Sequence, residues 1–199
     1  TKEEKNNLTW EKATGKGAAY FITATADSGF IAAGETGGKP YLVKYNYRRD
    51  KVTEIEGGRS GLFSSVWADT SGFIVAGSTN SSLSLQRFDI QGNRKWEFLL
   101  DTTVNIEVAR MKYEGDGNFL VLGTPASDSL STGDNGFLFL RFDTTGKIKM
   151  RNLITGSPLV SCAGFDTDDQ GNIYMALTRQ SGSAKPRATV ACYSPEFFK

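Results

Sequence analysis

The 199-residue sequence contains no histidine and only two cysteines, Cys162 and Cys192. Histidine is the commonest general base and zinc ligand, so its absence removes the usual nucleophile partner and most zinc sites. Two cysteines are too few for a disulfide scaffold, and their spacing is not that of a metal-binding pair. We therefore expect no catalytic residues, no metal site and no cofactor, and we predict that the chain is not an enzyme.

An excess of either charge is also lacking, because 23 Lys and Arg residues stand against 22 Asp and Glu residues. Without a basic field the chain has nothing to attract nucleic acid over a distance. No apolar run approaches the roughly 18 residues that would indicate a membrane span. The hydrophobic content of 39% is that of a folded domain. We expect neither a nucleic-acid partner nor a membrane span.

What the sequence does contain is a repeated phrase. Gly29–Gly34 reads Gly-Phe-Ile-Ala-Ala-Gly and returns as Gly72–Gly77, then as Gly117–Gly123, and weakly as Gly171–Ala176. The apolar anchors of the four copies are 43, 46 and 54 residues apart: Phe30, Phe73, Phe119 and Ile173. A period in this range indicates one supersecondary unit that is copied and stacked.

Each unit reads as four short strands. A β-prone run, a turn and the repeated phrase make a hairpin. A third run alternates apolar and polar residues in every copy: Leu42–Asn46, Leu85–Asp89, Phe139–Asp143 and Val190–Ser194. Turns then lead into fourth strands at Lys95–Phe98 and Ile148–Arg151. Four-stranded units at this period predict an all-β fold, a β-propeller of four-stranded antiparallel blades.

The fourth copy stops after its third run, whereas Leu8–Lys12 matches the fourth strand at Lys95–Phe98. We expect this N-terminal strand to complete the last blade and close a four-bladed ring. Residues 8–199 would then be a single domain behind a polar tail at residues 1–7. The alternative is a segment of a propeller with six to eight blades.

The repeat is similar to bacterial propeller repeats of the form Gly-Phe-Ile-x-x-Gly, Leu-x-Lys-Tyr/Phe-Asp and Gly-Asn-x-x-Trp, and the similarity covers residues 8–194. The Trp-Asp and Gly-His pairs of WD40 repeats are absent. Such bacterial repeats occur in secreted and surface proteins, especially of Bacteroidetes. The resemblance implies an extracytoplasmic location, at the cell surface or in the periplasm. The polar tail suits a tether behind a processed lipoprotein signal.

Three features could carry chemistry, but structural explanations fit them better. Asp166–Gly171 resembles the start of a calcium loop, yet Leu177 stands where the loop needs glutamate, which favours a polar hairpin turn. Tryptophans at equivalent positions, such as Trp10 and Trp96, indicate packing between blades, as does Trp67. A cation recurs in the third run as Lys44, Arg87 and Arg141, with Cys192 in the fourth copy. This recurrence predicts a repeated packing or ion-pairing role.

The two cysteines fall on the first and third strands of the fourth unit. One strand lies between them, which implies about 10 Å at neighbour spacings near 4.8 Å. A disulfide needs Cα atoms within about 7 Å. We therefore predict that Cys162 and Cys192 are not bonded to each other.

Long loops joining second and third strands define the predicted binding face, because insertions on one face of a repeat protein often mark it. In propellers these loops share a face with the connections between blades. The predicted binding residues are Lys39, Arg59, Asp128, Asp134, Asn135, Arg179, Lys185 and Arg187. Acidic groups in the third unit and basic groups in the fourth suit a polar protein surface.

The sequence thus favours a non-catalytic protein-binding or scaffold module, a surface or outer-membrane lipoprotein subunit of an envelope assembly. The alternative is a carbohydrate-binding or carbohydrate-cleaving domain that uses carboxylates in a central depression. A glycan would then replace the protein partner.

Overall fold

The computed structural model describes residues 17–100, 106–125, 136–155, 159–179 and 185–198. These residues form antiparallel strands and one short 3-10 helix at Pro195–Phe198. No helix in the described ranges is long and apolar enough to cross a membrane.

The strands form four consecutive sheets, here called blades one to four. Blade one consists of β1 (Gly17–Ala24), β2 (Phe30–Thr36), β3 (Lys39–Tyr45) and β4 (Lys51–Glu56). Blade two consists of β5 (Gly61–Asp69), β6 (Gly72–Thr79), β7 (Ser82–Asp89) and β8 (Arg94–Leu100). Blade three consists of β9 (Ile106–Gly115), β10 (Asn118–Pro125), β11 (Gly136–Asp143) and β12 (Ile148–Thr155). Blade four consists of β13 (Leu159–Thr167), β14 (Ile173–Arg179) and β15 (Arg187–Tyr193).

Within each blade the strands pair in chain order, so each blade is an antiparallel meander. The first strands of successive blades contact one another: β1 with β5, β5 with β9, and β9 with β13. First strands are therefore innermost and fourth strands outermost, which is the arrangement of a β-propeller. The predicted fold class is confirmed.

Apolar clusters fill the spaces between neighbouring blades. In β6, Phe73 and Val75 pack toward blade one, whereas Ile74 and Ala76 pack toward blade three. Alternate side chains of a strand point to opposite faces, so a strand with a blade on each side is apolar at every position. All eight residues of β6 are buried.

Aromatic side chains link blades two and three. The Trp67 ring stacks on Tyr113, with ring centroids 4.8 Å apart, and meets Phe119 edge-on at 4.9 Å. The Trp96 indole Nε1 donates a hydrogen bond to the Thr144 carbonyl oxygen at 3.1 Å. The prediction that these tryptophans pack between blades is confirmed, and Trp10 lies outside the described residues.

Blade four has three strands in the described ranges, in the order β13-β14-β15. Its predicted outer strand, Leu8–Lys12, and the polar tail at residues 1–7 lie outside these ranges. The closed four-bladed ring therefore stays a prediction, as does the larger ring.

The cysteines occupy the predicted strands of blade four, Cys162 on β13 and Cys192 on β15. Cys162 is opposite Leu177, whereas Cys192 is opposite Tyr174 on the other side of β14. Both thiols are free, as predicted.

We expect the two thiols of the native protein to react at different rates with a thiol reagent such as dithionitrobenzoate. Burial raises the pKa of the Cys162 thiol, which lowers its reactive thiolate fraction, whereas Cys192 is exposed. One equivalent should react quickly and the second only on unfolding. Loss of the fast phase in Cys192→Ser would identify the exposed thiol, and two equally fast thiols would contradict this placement.

Candidate functional site

The propeller has two faces with different loops. The hairpin face carries the turns between first and second strands and between third and fourth strands. The connection face carries residues 37–38, 57–60 and 80–81, together with the strand ends beside them. On the connection face Gly61 N donates to Gly38 O at 2.9 Å, and Asn80 N donates to Ser60 O at 2.8 Å. Loops joining second and third strands thus share a face with the connection between blades one and two, as predicted.

The recurring cation of the third strand forms an ion pair in each of three blades. Lys44 Nζ lies 2.8 Å from Asp27 Oδ2, Arg87 Nη2 lies 3.2 Å from Asp69 Oδ1, and Arg141 Nε lies 2.7 Å from Glu114 Oε2. Each acid sits at or just after the end of the first strand. The predicted ion-pairing role is confirmed.

These pairs shift the pKa values of their members. The hydrogen bond from Lys44 lowers the pKa of Asp27 to about 2. Burial raises the pKa of Asp69, but hydrogen bonds from Ser71 and the charge of Arg87 outweigh burial and leave this pKa below its ordinary value. The Glu114 carboxylate raises the pKa of Arg141. At neutral pH the Asp27 and Asp69 carboxylates remain charged and are committed to the fold.

Blade four departs from this pattern because Cys192 replaces the cation. Asp166 instead forms an ion pair with Lys112 of blade three. Asp168 accepts hydrogen bonds from the backbone of Gln170 and Asn172, at 3.0 and 2.8 Å. This is an Asx-type turn, so the hairpin interpretation of Asp166–Gly171 is confirmed. No group of three or more potential metal ligands occurs among the described residues.

The predicted binding residues fall into two basic groups on the connection face. Lys39 and Arg59 lie at the junction of blades one and two, where Lys39 pairs with Glu56 at 3.0 Å. In blade four, Arg179 lies directly opposite Arg187 across β14 and β15, and Lys185 is two residues away. Asp128, Asp134 and Asn135 lie outside the described residues.

A groove between blades one and two opens beside Arg59. Its volume is about 470 Å³, and its lining includes Pro40, Gly58, Arg59, Thr79, Gln86 and Glu97. This size is typical of a ligand-binding cleft. We call it the inter-blade groove.

Small side chains on blade one create one wall of this groove. Strand registers align Leu42, opposite Ile55, with Leu85, opposite Phe98, in the next blade. By the same alignment Thr53 stands where blade two has Trp96. Trp96 and Phe98 pack against the core between blades two and three. Ile55, which lines the groove, is smaller than Phe98 and leaves part of the corresponding space open.

Polar side chains on blade two form the opposite wall. Ser84 and Gln86 occupy the positions that Leu138 and Leu140 fill in blade three. Both are buried, and Gln86 Nε2 donates to Ser84 Oγ at 3.1 Å. Thr79 is 5% exposed, and its hydroxyl has no hydrogen-bond partner among the described residues. An unsatisfied buried hydroxyl costs folding free energy, so this wall is suited to a polar ligand.

Charges around the groove leave one guanidinium available. Glu97 is paired with Arg94 at 2.8 Å, and Glu56 is paired with Lys39. Arg59 is exposed and forms no ion pair with any residue that the structure describes. The described charges therefore leave a net positive charge at the end of the groove that reaches the connection face.

Sequence reasoning predicted the face on which Lys39 and Arg59 lie but missed the groove beside them. The available signal was a polar residue in an apolar column of the repeat. Gln86 stands where the other copies have Val43, Leu140 and Ala191. A buried amide in such a column is a candidate binding group.

Comparison with known proteins supports the fold assignment. No protein-family model matches the chain, and no curated protein matches it significantly. Thirteen chains of solved structures are similar to it. One is the Neurospora crassa Pan2 WD40 domain, with a TM-score of 0.53 and 12% identity over 92% of this chain. The chain spans 64% of that domain's length. At this identity the likeness concerns the fold, which is that of a β-propeller.

Proposed function

We propose that this chain is a non-catalytic protein-binding or scaffold module whose partner docks on the connection face. The observation that carries the proposal is the charge of that face, where Lys39, Arg59, Arg179, Lys185 and Arg187 all lie on strand ends or in loops. Cations on a rigid scaffold, among them the exposed Arg59 with no ion pair to a described residue, suit recognition of a polar surface.

We further propose that the module works outside the cytoplasm, as a lipoprotein subunit of an envelope assembly. Support comes from the similarity of the repeat to bacterial surface propellers and from the polar residues 1–7. Membrane fractionation of the native protein, with globomycin to block lipoprotein processing, would test this location.

The carbohydrate-cleaving alternative has weaker support. A glycosidase needs a carboxyl with a raised pKa as its general acid. Every resolved pKa shift of a described carboxyl is downward: Asp27, Glu54, Asp69, Asp89, Asp143, Asp166 and Asp168. A glycan array and a hydrolase screen of the same sample would test sugar binding and cleavage directly.

We expect Arg179→Ala with Arg187→Ala to weaken partner capture from envelope extract while the Tm stays nearly unchanged. The two arginines are directly opposite in the strand register, so their removal also relieves like-charge repulsion. Shortening Ser127–Asn135 to a tight turn should weaken capture as well. Both losses should resemble the effect of raising the salt concentration.

The control is Lys147→Ala, which removes an exposed cation from the hairpin face of blade three. Its capture should equal that of the parent. If capture survives both connection-face changes, or fails only with changes on the hairpin face, the docking face is wrong.

A further inference from the structure

We propose that the inter-blade groove binds an extended, acidic peptide segment, with one carboxylate held by Arg59. This inference rests on the proposed protein-binding function and adds a second contact to it, in the groove that ends at Arg59 on the connection face. The occupant is a partner segment rather than a folded surface, because the space lies between two blades and below the connection face.

The shape of the groove suits an extended chain. It runs from Gly92, in the turn between β7 and β8, to Gly58 and Arg59 in the connection between the blades. This direction follows β7, and a strand rises about 3.4 Å per residue. A segment of several extended residues therefore fits along the groove, with alternate side chains directed into it.

The polar groups of the groove suit a peptide backbone. The Thr79 hydroxyl is buried and unpartnered among the described residues, and Gln86 is 7% exposed. A hydroxyl and an amide can accept from peptide N–H groups and donate to peptide carbonyls. Ile55, Phe63 and Phe88 add apolar surface beside them for side chains.

The charge of the groove selects an acidic segment. Each lining carboxylate has its own basic partner, so an added carboxylate meets Arg59, which has no ion pair with the part of the chain that the structure describes. Arginine binds carboxylates through two parallel hydrogen bonds, which makes the contact directional as well as strong. A basic segment would instead be repelled by this guanidinium.

The test begins with a phage-displayed library of random octapeptides selected on the immobilised full chain at low salt. We expect the enriched peptides to share an aspartate or glutamate at one position. The most enriched sequence, made as a fluorescein-labelled peptide, then serves as the probe in anisotropy titrations. Affinity should fall as salt rises.

Four variants test whether the labelled peptide binds in the inter-blade groove. An added Cβ at Gly58 meets no atom within 4 Å, so Gly58→Phe should obstruct the groove without straining the fold. The matched control is Gly164→Phe in blade four, where an added Cβ also meets no atom within 4 Å. Arg59→Gln should weaken probe binding about tenfold or more, whereas Lys147→Gln should not change it.

Substitutions of Thr79 test whether its hydroxyl binds the ligand or only contributes to the fold. Thr79→Val removes an unsatisfied hydroxyl, so we expect the Tm to stay level or rise while probe affinity falls about threefold to tenfold. Thr79→Ser keeps the hydroxyl and should restore most of that affinity. A Thr79→Val protein with lower Tm and unchanged affinity would contradict the assignment.

The groove assignment is overturned if no peptide is enriched, if enriched peptides lack an acidic position, or if Gly58→Phe binds the probe as well as Gly164→Phe does. Failure of the proposed function looks different, because partner capture would then survive the Arg179→Ala and Arg187→Ala changes. Those two changes should leave probe binding unaltered, so the two proposals can fail independently.

Discussion

Phe119→Ala is expected to lower the free energy of unfolding by about 3–5 kcal/mol. Phe119 is fully buried between blades two and three. Its ring stacks on Phe142 at a centroid distance of 5.2 Å and lies 5.1 Å from Tyr113. Truncation therefore removes both buried area and aromatic contacts, and it leaves a cavity that a β-sheet core closes poorly. Urea denaturation followed by tryptophan fluorescence would measure the loss.

A matched aromatic truncation on the surface gives the control. Tyr20 on β1 is 48% exposed, so Tyr20→Ala should cost well under half as much as Phe119→Ala. Equal losses from the two changes would mean that the space between blades two and three is not the principal core.

Deleting residues 1–13 is expected to destabilise the protein far more than the loss of a disordered tail would. The reason is the match between Leu8–Lys12 and the outer strand β8, which predicts that this segment pairs with the outer edge of β15. Loss of the packed Trp10 side chain alone would cost about 3–5 kcal/mol. Thermal unfolding of the two chain lengths would measure the difference.

The shorter deletion of residues 1–6 provides the comparison, because it removes polar residues and leaves Leu8–Lys12 in place. We expect its Tm to be nearly that of the parent. If both truncated proteins had the Tm of the parent, the predicted N-terminal closure would be wrong, and the alternative of a larger ring would gain support.

The fold could be predicted because its determinants are local and repeated. Turn glycines, the alternation in each third strand and the Lys44, Arg87 and Arg141 column all appear at regular intervals. β4 shows the limit of this approach. It lacks a match to Lys95–Phe98 of β8, the segment with Trp96, and is recognised only from the sheet register. The number of blades could not be fixed for a related reason. The same local sequence pattern forms every interface between blades, whatever their number.

The groove could not be predicted from motifs, because it is a space left between two blades whose lining residues are far apart in the sequence. Ile55 on one blade and Gln86 on the next both line the groove, and they come together only once the blades pack side by side. The position of Lys39 and Arg59 on the connection face could be predicted because loop position is readable from the repeat. Ion pairing could not be read from the sequence, so the lack of an ion pair between Arg59 and any described residue needed the structure.

The uneven burial of the strands has a consequence for how the molecule comes apart. β6 is buried throughout, whereas β1 and β15 alternate between partly buried and exposed residues. In stacked repeats each unit derives much of its stability from its neighbours. Blade two is supported on both flanks, so local opening should begin in β1 and β15 and reach β6 last. The inter-blade groove has one wall on this slow-opening blade and the other on blade one, so a local opening of blade one would release a bound segment.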